Sequence, residues 1–271
     1  MLGMIKTRRD ARQAIMEFAD SDRFAANQEF LNREMAKLRS HRLFSHEFLE
    51  IARADRLAPR TVAALHTDFL TLADQFTDVI LSAQRRVRGI ADRHQEPYMP
   101  ARFLLMLNLF DELGFVECDN GIDGSYRQSH YHLFQDVVRR ASRGYERASG
   151  GSVGGQIHQF VEQNMDDLIV MLVYLAVGEE KIIAYSPLMR QAAESVGVDV
   201  SRGYYRVHGS TADVDSDACD DLHQQDALLI MAQYMHPSDH PRVSQLFQSL
   251  ADMWYEYWGQ YVAYNESRQA S

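Results

Sequence analysis

The sequence contains little glycine, proline or cysteine. Glycine and proline supply 15 and 6 of its 271 residues, so it has few of the turn signals that an all-β protein needs. The only cysteines are Cys118 and Cys219, and the N-terminal residues contain no signal-peptide apolar core. We therefore expect a reduced, cytoplasmic protein that is mainly helical.

Positive charge and long apolar segments are also scarce. Lys and Arg number 28 against 38 Asp and Glu, giving a formal net charge of −10. Nucleic acids and anionic membranes are bound by clustered Lys and Arg, so neither is an expected partner. The longest apolar run, residues 168–177, is about half of the roughly 20 residues that a membrane-spanning helix needs.

Apolar residues recur at spacings of three and four along much of the chain, which is the pattern of a buried helix face. The loops expected between these segments are residues 92–100, 114–124 and the Gly-rich stretch 148–155. The predicted helices cover residues 23–38, 45 onward, 59 to about 90, 101–113, 126–145, 156–178 with an extension toward 187, 204–235 and 241–264.

No internal repeat or change in composition divides the chain. We predict a single all-α domain over residues 1–271, a helical bundle of about seven to nine helices. N-terminal helices would occupy about residues 1–55, and a core bundle with the candidate site would occupy 56–265.

Common catalytic motifs are missing: the sequence has no Gly-rich phosphate loop, CxxC pair or HExxH. Their absence removes several enzyme classes. Carboxylates on apolar helices remain. Glu112 ends the apolar segment 101–113, and Glu179 and Glu180 follow the run 168–177. A carboxylate buried there needs a partner or a metal ion; the alternative is a helix end that emerges into solvent.

Histidines add a second set of candidates. His130 and His132 are two residues apart, so only one of them can share the helix face of Leu133 and Phe134. The simpler interpretation of the histidine on that face is a core residue whose hydrogen bonds are satisfied within the protein. His208 precedes an acidic run, and the carboxylates within about two to three helical turns of it are Asp213, Asp215 and Asp217. The competing interpretation of this run is a solvated face.

Together these residues form a pattern typical of one class of metal site. In helix bundles, Glu, Asp and His from several core helices hold two iron or manganese ions, because carboxylate oxygens bridge the cations and imidazoles complete the coordination shell. Four of the most apolar segments here carry at least one such residue. The sequence therefore predicts a dinuclear metal site.

The order of the motifs resembles the heme-oxygenase-like diiron oxidases and oxygenases. Residues 108–114 (NLFDELG) are similar to the family's NLxxE(L)G segment, His130 to Phe134 to its Hxx(L)F form, and residues 204–208 to its Tyr-Tyr-x-x-His segment. The resemblance implies a heme-oxygenase-like helical fold. The metal ligands it implies are Glu112, His130, one of Glu179 and Glu180 with Glu179 preferred, and His208, with Asp74 as an additional carboxylate.

The chain departs from the family pattern after His208. The family pattern is H-x3-D-x2-H. In this sequence the fourth residue after His208 is Ala212 and the seventh is Asp215. A one-residue bulge would bring Asp213 and Asp217 into use, with Asp in place of the last His. The insertion before His130 is also longer than usual, which leaves His132 as an alternative to it.

The resemblance implies two Fe(II) ions per chain, with Mn as an alternative, and O2 as co-substrate. The substrate it implies is a small amino-acid-like metabolite that undergoes N-oxygenation, desaturation or oxidative C–C cleavage, and a homodimer is common in the family. A guanidinium or ammonium group would bind the substrate carboxylate. The basic candidates are Arg102, Arg127, Lys181, Arg190 and Arg206.

Two other functions are compatible with the sequence. One is a metal-free enzyme of the same fold, either a cofactor-independent oxidase or a thiaminase-like hydrolase. The hydrolase needs a nucleophilic cysteine, and the acids around Cys219 would raise its pKa and disfavour that role. The other is a non-catalytic helical interaction protein in which the Glu and His residues are ion-paired in the core.

Overall fold

Helices account for nearly all of the regular structure. The computed structural model describes residues 5–118, 121–145, 152–207 and 219–269, which contain twelve α-helices and one two-stranded hairpin. The predicted all-α class is confirmed. The helices are α1 (Arg8–Phe18), α2 (Ser21–Arg39), α3 (Glu47–Arg53), α4 (Pro59–Arg86), α5 (Gly89–His94), α6 (Met99–Glu112), α7 (His130–Ala141), α8 (Ser152–Gln163), α9 (Leu168–Ser195), α10 (Tyr204–Val207), α11 (Cys219–Tyr234) and α12 (His240–Gln269).

Helix α9 is the central helix of the bundle. Residues 168–179 are all buried, as expected for a helix that is apolar on every side. It packs against α11, α4, α12 and α3. The N-terminal helices pack directly on this core, with α1 against α6 and α2 against α11. No helix in the described ranges is both long and apolar enough to cross a membrane.

Two of the predicted helices are interrupted. The segment 156–178 divides because α8 ends at Gln163 and Asp167 caps α9, its carboxylate accepting from the backbone N–H of Ile169 and Val170. The segment 204–235 divides into α10 and α11. Helix α1 was not predicted; a capping box between Thr7 and Asp10 begins it.

A hairpin replaces the loop expected after α6. Strand β1 (Phe115–Cys118) pairs antiparallel with β2 (Gly121–Gly124), with Phe115 opposite Gly124. Gly114 has a φ of 79°, and a Cβ there would lie 2.3 Å from the carbonyl carbon of Gln128. Only glycine fits this position. The hairpin thus returns the chain to the end of α6, which places the start of α7 beside it.

The aromatic C-terminal segment lies in the core, as its composition suggested. Trp258 stacks on Tyr185 with ring centroids 4.2 Å apart and lies against Phe48. Trp254 is also fully buried and packs against Phe69. These side chains fill the space between α12, α9, α4 and α3, so their main contribution is packing.

Candidate metal centre

Glu112 and His130 meet although 17 residues separate them in the sequence. Glu112 is the last residue of α6 and His130 is the first of α7, and the hairpin between them closes the gap. The Nδ1 of His130 lies 2.9 Å from Oε2 of Glu112, and both side chains are buried. An ionised carboxylate only accepts hydrogen bonds, so this nitrogen is the donor.

The contact between α9 and α11 brings in Glu179 and His223. His223 is 3% exposed, and its Nδ1 lies 3.3 Å from Oε1 of Glu179 and 3.8 Å from Oε1 of Glu112. Four helices therefore direct two carboxylates and two imidazoles to one buried point. This donor set of nitrogen and carboxylate oxygen suits iron, manganese or zinc.

Asp111 accepts a hydrogen bond from Nε2, the other nitrogen of His223. Its Oδ2 lies 3.1 Å from His223 Nε2, and Arg8 Nη2 donates to the same carboxylate at 3.2 Å. Arg8 also donates to Asn108 and forms an ion pair with buried Asp226. Helix α1 thus anchors the carboxylate that orients His223.

The hydrogen bond from Nε2 determines which nitrogen of His223 faces the cluster. Because Asp111 accepts a hydrogen bond from Nε2–H, Nδ1 is the atom directed at Glu112 and Glu179. Nδ1 is buried and makes no hydrogen bond of acceptable geometry within the described chain. Carboxylate–histidine pairs of this kind commonly orient the imidazole ligand of a metal ion.

The surrounding carboxylates change the protonation of His223. Burial lowers the pKa of this imidazole, but the contacts with Asp111 and Glu179 and the charge of Glu112 raise it more, so the net pKa is well above the ordinary value. Without a cation, His223 is therefore a protonated partner of the acids. A metal ion at Nδ1 would displace that proton.

Other predicted ligands lie elsewhere. Glu180 accepts from Arg39 at 2.9 and 3.0 Å and from Gln224 at 3.0 Å, so it is directed away from the cluster into an ion pair. Asp74 is exposed on α4. His132 is exposed, with its Nδ1 3.1 Å from Ser129 Oγ. The structure therefore does not bring these three residues to the cluster: Glu180 and His132 lie on a different side of their helices from Glu179 and His130, and Asp74 lies on the exposed face of α4.

The last group of predicted ligands cannot be compared with the structure. His208, Asp213, Asp215 and Asp217 lie in residues 208–218, outside the described residues. Cys219 begins α11, and its side chain is likewise outside the described set. These assignments remain predictions.

His223 was not among the predicted ligands, although a signal for it was present. The D-x2-H spacing expected after His208 occurs at Asp220 and His223. The shorter interval from His208 pointed to Asp213 and Asp217 instead. His223 also shares an apolar helical face with Ala227 and Ile230, and this spacing is the signal that identifies it.

The cluster in the described part of the chain is an ion-pair network. Within those ranges, no group of three His, Cys, Asp or Glu side chains has the mutual spacing of a metal site. The donors instead contact each other through the hydrogen bond and ion pairs given above. The buried Nδ1 of His223 and the two adjacent carboxylates nevertheless fit a divalent cation in charge and donor type.

A cavity lies beside the cluster. Its volume is about 50 Å3, well below the roughly 300 Å3 at which typical small-molecule sites begin. Glu112, His130 and Glu179 form its polar end, and most of the remaining wall is apolar or aromatic. Lys181 is the one basic side chain among the lining residues.

No protein-family model and no curated protein matches this sequence. Solved structures do: a crystal structure of a CADD-like protein of unknown function from Nostoc punctiforme PCC 73102 is 12% identical, with a TM-score of 0.59 over 88% of this chain and 98% of that one. A second crystal structure of such a protein from the same organism is 14% identical, with a TM-score of 0.55 over 89% and 97%. The chain therefore shares the fold of this CADD-like protein.

Proposed function

We propose that this protein is a non-heme dinuclear-iron oxidoreductase that uses O2 and acts on a small amino-acid-like metabolite. The observation that carries the proposal is the orientation of His223. Asp111 accepts a hydrogen bond from its Nε2–H group, so the buried Nδ1 is directed at Glu112 and Glu179. Two buried carboxylates that face one imidazole nitrogen supply the donor types that bind a divalent cation.

The residues that would hold metal are Glu112, His130, Glu179 and His223. The sequence hypothesis adds His208, Asp213 and Asp217 for a second ion. Bound Fe(II) would supply the electrons for O2 activation. Mn remains the alternative metal, since carboxylate-rich sites accept it.

The protein groups around the site have separate tasks in this proposal. Asp111 keeps the Nε2 proton in place while Nδ1 loses its own proton to make room for a cation. The aromatic wall formed by Phe69, Tyr174 and Trp254 would exclude water from a bound substrate.

The test compares two neighbouring glutamates. Protein loaded anaerobically with Fe(II), and separately with Mn(II), is desalted and its metal content measured by plasma emission. We expect up to about two ions per chain in the wild type and at least a tenfold loss of affinity in Glu179→Gln. Glu180→Gln is the matched control: it removes the same charge one residue away, from the ion pair with Arg39, and should stay within about twofold.

Two results would reject this proposal. Near-zero metal in the wild type would favour the ion-paired core of a non-catalytic protein or a metal-free enzyme. Equal losses in both variants would show that charge alone, and not the site at Glu179, governs metal uptake. If metal binds as expected, O2 consumption on addition of amino acids tests the reaction.

A further inference from the structure

Two arginines of α1 lie next to the candidate metal centre. Arg8 and Arg12 are one helical turn apart, and both form ion pairs with Asp226 on α11. The side chain of Asp226 is 0% exposed. A carboxylate buried to this extent is destabilising unless it is paired and hydrogen-bonded. Helix α1 therefore supplies charge that the interior of the bundle requires.

Arg12 attaches α1 to a single helix. Within the described ranges, the groups to which its guanidinium donates all lie on α11: the Asp226 carboxylate at 2.7 Å, the Gln225 side chain at 2.9 Å and the Leu222 carbonyl at 3.0 Å. Its contacts can fix α1 on α11, but they do not determine how α11 lies against α6.

Arg8 joins two helices. Its Nη1 donates to Asn108 at 2.7 Å and its Nη2 to Asp111 at 3.2 Å, and both of these acceptors lie on α6. The same guanidinium forms the ion pair with Asp226 on α11. Its N–H donors are fixed in one plane, so acceptors that bind it together are held in defined relative positions. Arg8 therefore connects α6 to α11.

The two helices that Arg8 connects both carry candidate ligands. Asp111 immediately precedes Glu112 on α6, and Asp226 follows His223 by three residues on α11. One oxygen of Asp111, Oδ2, accepts from Nη2 of Arg8 and also lies 3.1 Å from Nε2 of His223. The carboxylate that orients the imidazole is thus itself held by the guanidinium.

We propose that Arg8 is a positioning residue of the candidate metal centre, that it acts through Asp111, and that docking of α1 and metal binding stabilise each other. None of the four candidate ligands in the described ranges lies on α1. The positioning of His223 by Arg8 is independent of the proposed function, whereas the link to metal binding rests on it.

The length and packing of α1 make its docking sensitive to the polar contacts. The helix has 11 residues and buries only Ala11, Ala14 and Ile15. Isolated helices shorter than about 12–15 residues are marginally stable in water. By linkage, an ion that favours the bound orientation of His223 favours the docked state of α1 by the same factor.

The first experiment uses chelator-treated, metal-free protein. Buried, hydrogen-bonded imidazole N–H protons exchange slowly enough to be observed by NMR, and His223→Gln assigns the Nε2–H signal of His223 by its loss. We expect the signal in the wild type and in Arg12→Met, the matched control one turn along α1. Arg8→Met should lose it, because the Asp111 side chain, already 27% exposed, is then free to turn toward solvent.

The second experiment measures Mn(II) affinity by electron paramagnetic resonance. We expect a loss of about tenfold in Arg8→Met, because residues that orient a ligand commonly contribute this much, and a change within about twofold in Arg12→Met. If Arg8 acts through Asp111, the double variant Arg8→Met/Asp111→Asn should bind within about twofold of Asp111→Asn alone, since two changes in one pathway are not additive.

The third experiment uses the wild type and tests the link to α1. Saturating Mn(II) should slow amide hydrogen exchange in α1 at least about fivefold. Exchange in α3, which packs against α9 and α12, is the internal reference and should change less.

Arg8→Lys keeps the proposal testable if Arg8→Met does not fold. The lysine retains a positive charge for Asp226, but its donors radiate from one nitrogen and cannot reproduce the fork that also reaches Asn108 and Asp111. The same losses of the NMR signal and of affinity are therefore expected.

Four results would overturn the proposal: an Nε2–H signal of His223 that persists in the Arg8 variants, equal losses of affinity in Arg8→Met and Arg12→Met, a loss in the double variant equal to the product of the single losses, and unchanged exchange in α1 with Mn(II) bound. A wild type that binds no metal would reject the proposed function and the link to α1. The metal-free NMR comparison would still decide whether Arg8 positions His223, so the two failures are distinguishable.

Discussion

Two buried histidines of this protein have opposite surroundings. His66 on α4 donates from Nδ1 to the carbonyl of Val62 at 2.7 Å, and its Nε2 accepts from the hydroxyl of Tyr205 at 2.7 Å. Both nitrogens are satisfied by neutral groups. His223 on α11 has one nitrogen held by Asp111 and the other directed at two carboxylates.

The difference separates a packing site from a candidate binding site. Burial lowers the pKa of His66 to about 4, so it is neutral at pH 7 and has no remaining atom with which to bind a ligand. His223 lies among acids that raise its pKa, and it can exchange a proton for a cation. Burial alone does not identify a functional histidine; the charge and hydrogen-bonding state of its neighbours does.

The largest expected effect that follows from this contrast concerns His66. Its folded pKa of about 4 lies below the unfolded value of 6.5, so the stability that it contributes is present above pH 6.5 and is lost as the pH falls toward 4. The loss should reach about 3 kcal/mol of unfolding free energy, because each pKa unit corresponds to about 1.4 kcal/mol. Urea unfolding of metal-free protein at pH 7 and pH 4 measures it.

His66→Gln provides the reference for that measurement. The variant has no titratable group at this position, so its unfolding free energy should fall less over the same pH range, and subtraction removes the other titrating residues. Direct observation of the ring by NMR is a second check. Protonation of His66 in the folded protein near pH 6.5 would contradict the neutral, closed environment.

The next effect concerns Asp111, the carboxylate that accepts from Nε2 of His223 and has no counterpart at His66. Asp111→Asn keeps the shape of the side chain but weakens its hold on the Nε2 proton, so His223 would no longer be fixed with Nδ1 toward the cluster. We expect metal affinity to fall by about 10- to 100-fold. Mn(II) binding followed by electron paramagnetic resonance measures this without any turnover.

Asp136→Asn is the control for Asp111→Asn. Asp136 is also ion-paired, with Arg139 and Arg140, but lies on the outer side of α7. Its variant should bind Mn(II) like the wild type. Unchanged affinity in Asp111→Asn would mean that packing alone orients His223.

Much of this arrangement could be predicted from the sequence because it is encoded locally. The apolar periodicity of α4, α6 and α9 identified core helices, and Glu112 and Glu179 stood out as carboxylates at the ends of the most apolar ones. The structure brings these two residues together with His130. Whether they bind metal stays a prediction.

The remaining features depend on contacts between distant residues. Asp111 adjoins Glu112 in the sequence, but the sequence does not show that it orients His223. That contact depends on α1 and α11, which bring Arg8 and His223 to its carboxylate. The resemblance favours Glu179 over Glu180, but only the structure shows that Glu180 is ion-paired with Arg39 on α2. The hairpin after α6 was missed because its short strands contain glycine and acidic residues and lack the alternating apolar pattern of a buried sheet.

The smallest expected effect compares two helical glycines, Gly178 beside the cavity and Gly259 on α12 against His46. A Cβ at Gly178 would meet only Phe76 at 3.8 Å, and a Cβ at Gly259 on α12 would meet only His46 at 3.7 Å. Both contacts are ordinary, and alanine is favoured over glycine within a helix, so Gly178→Ala and Gly259→Ala should each raise the unfolding free energy by about 0.5–1 kcal/mol. Urea unfolding of the two variants at pH 7 measures this gain. A loss of unfolding free energy confined to Gly178→Ala would show that the wall of the cavity at Phe76 cannot accommodate the added methyl group.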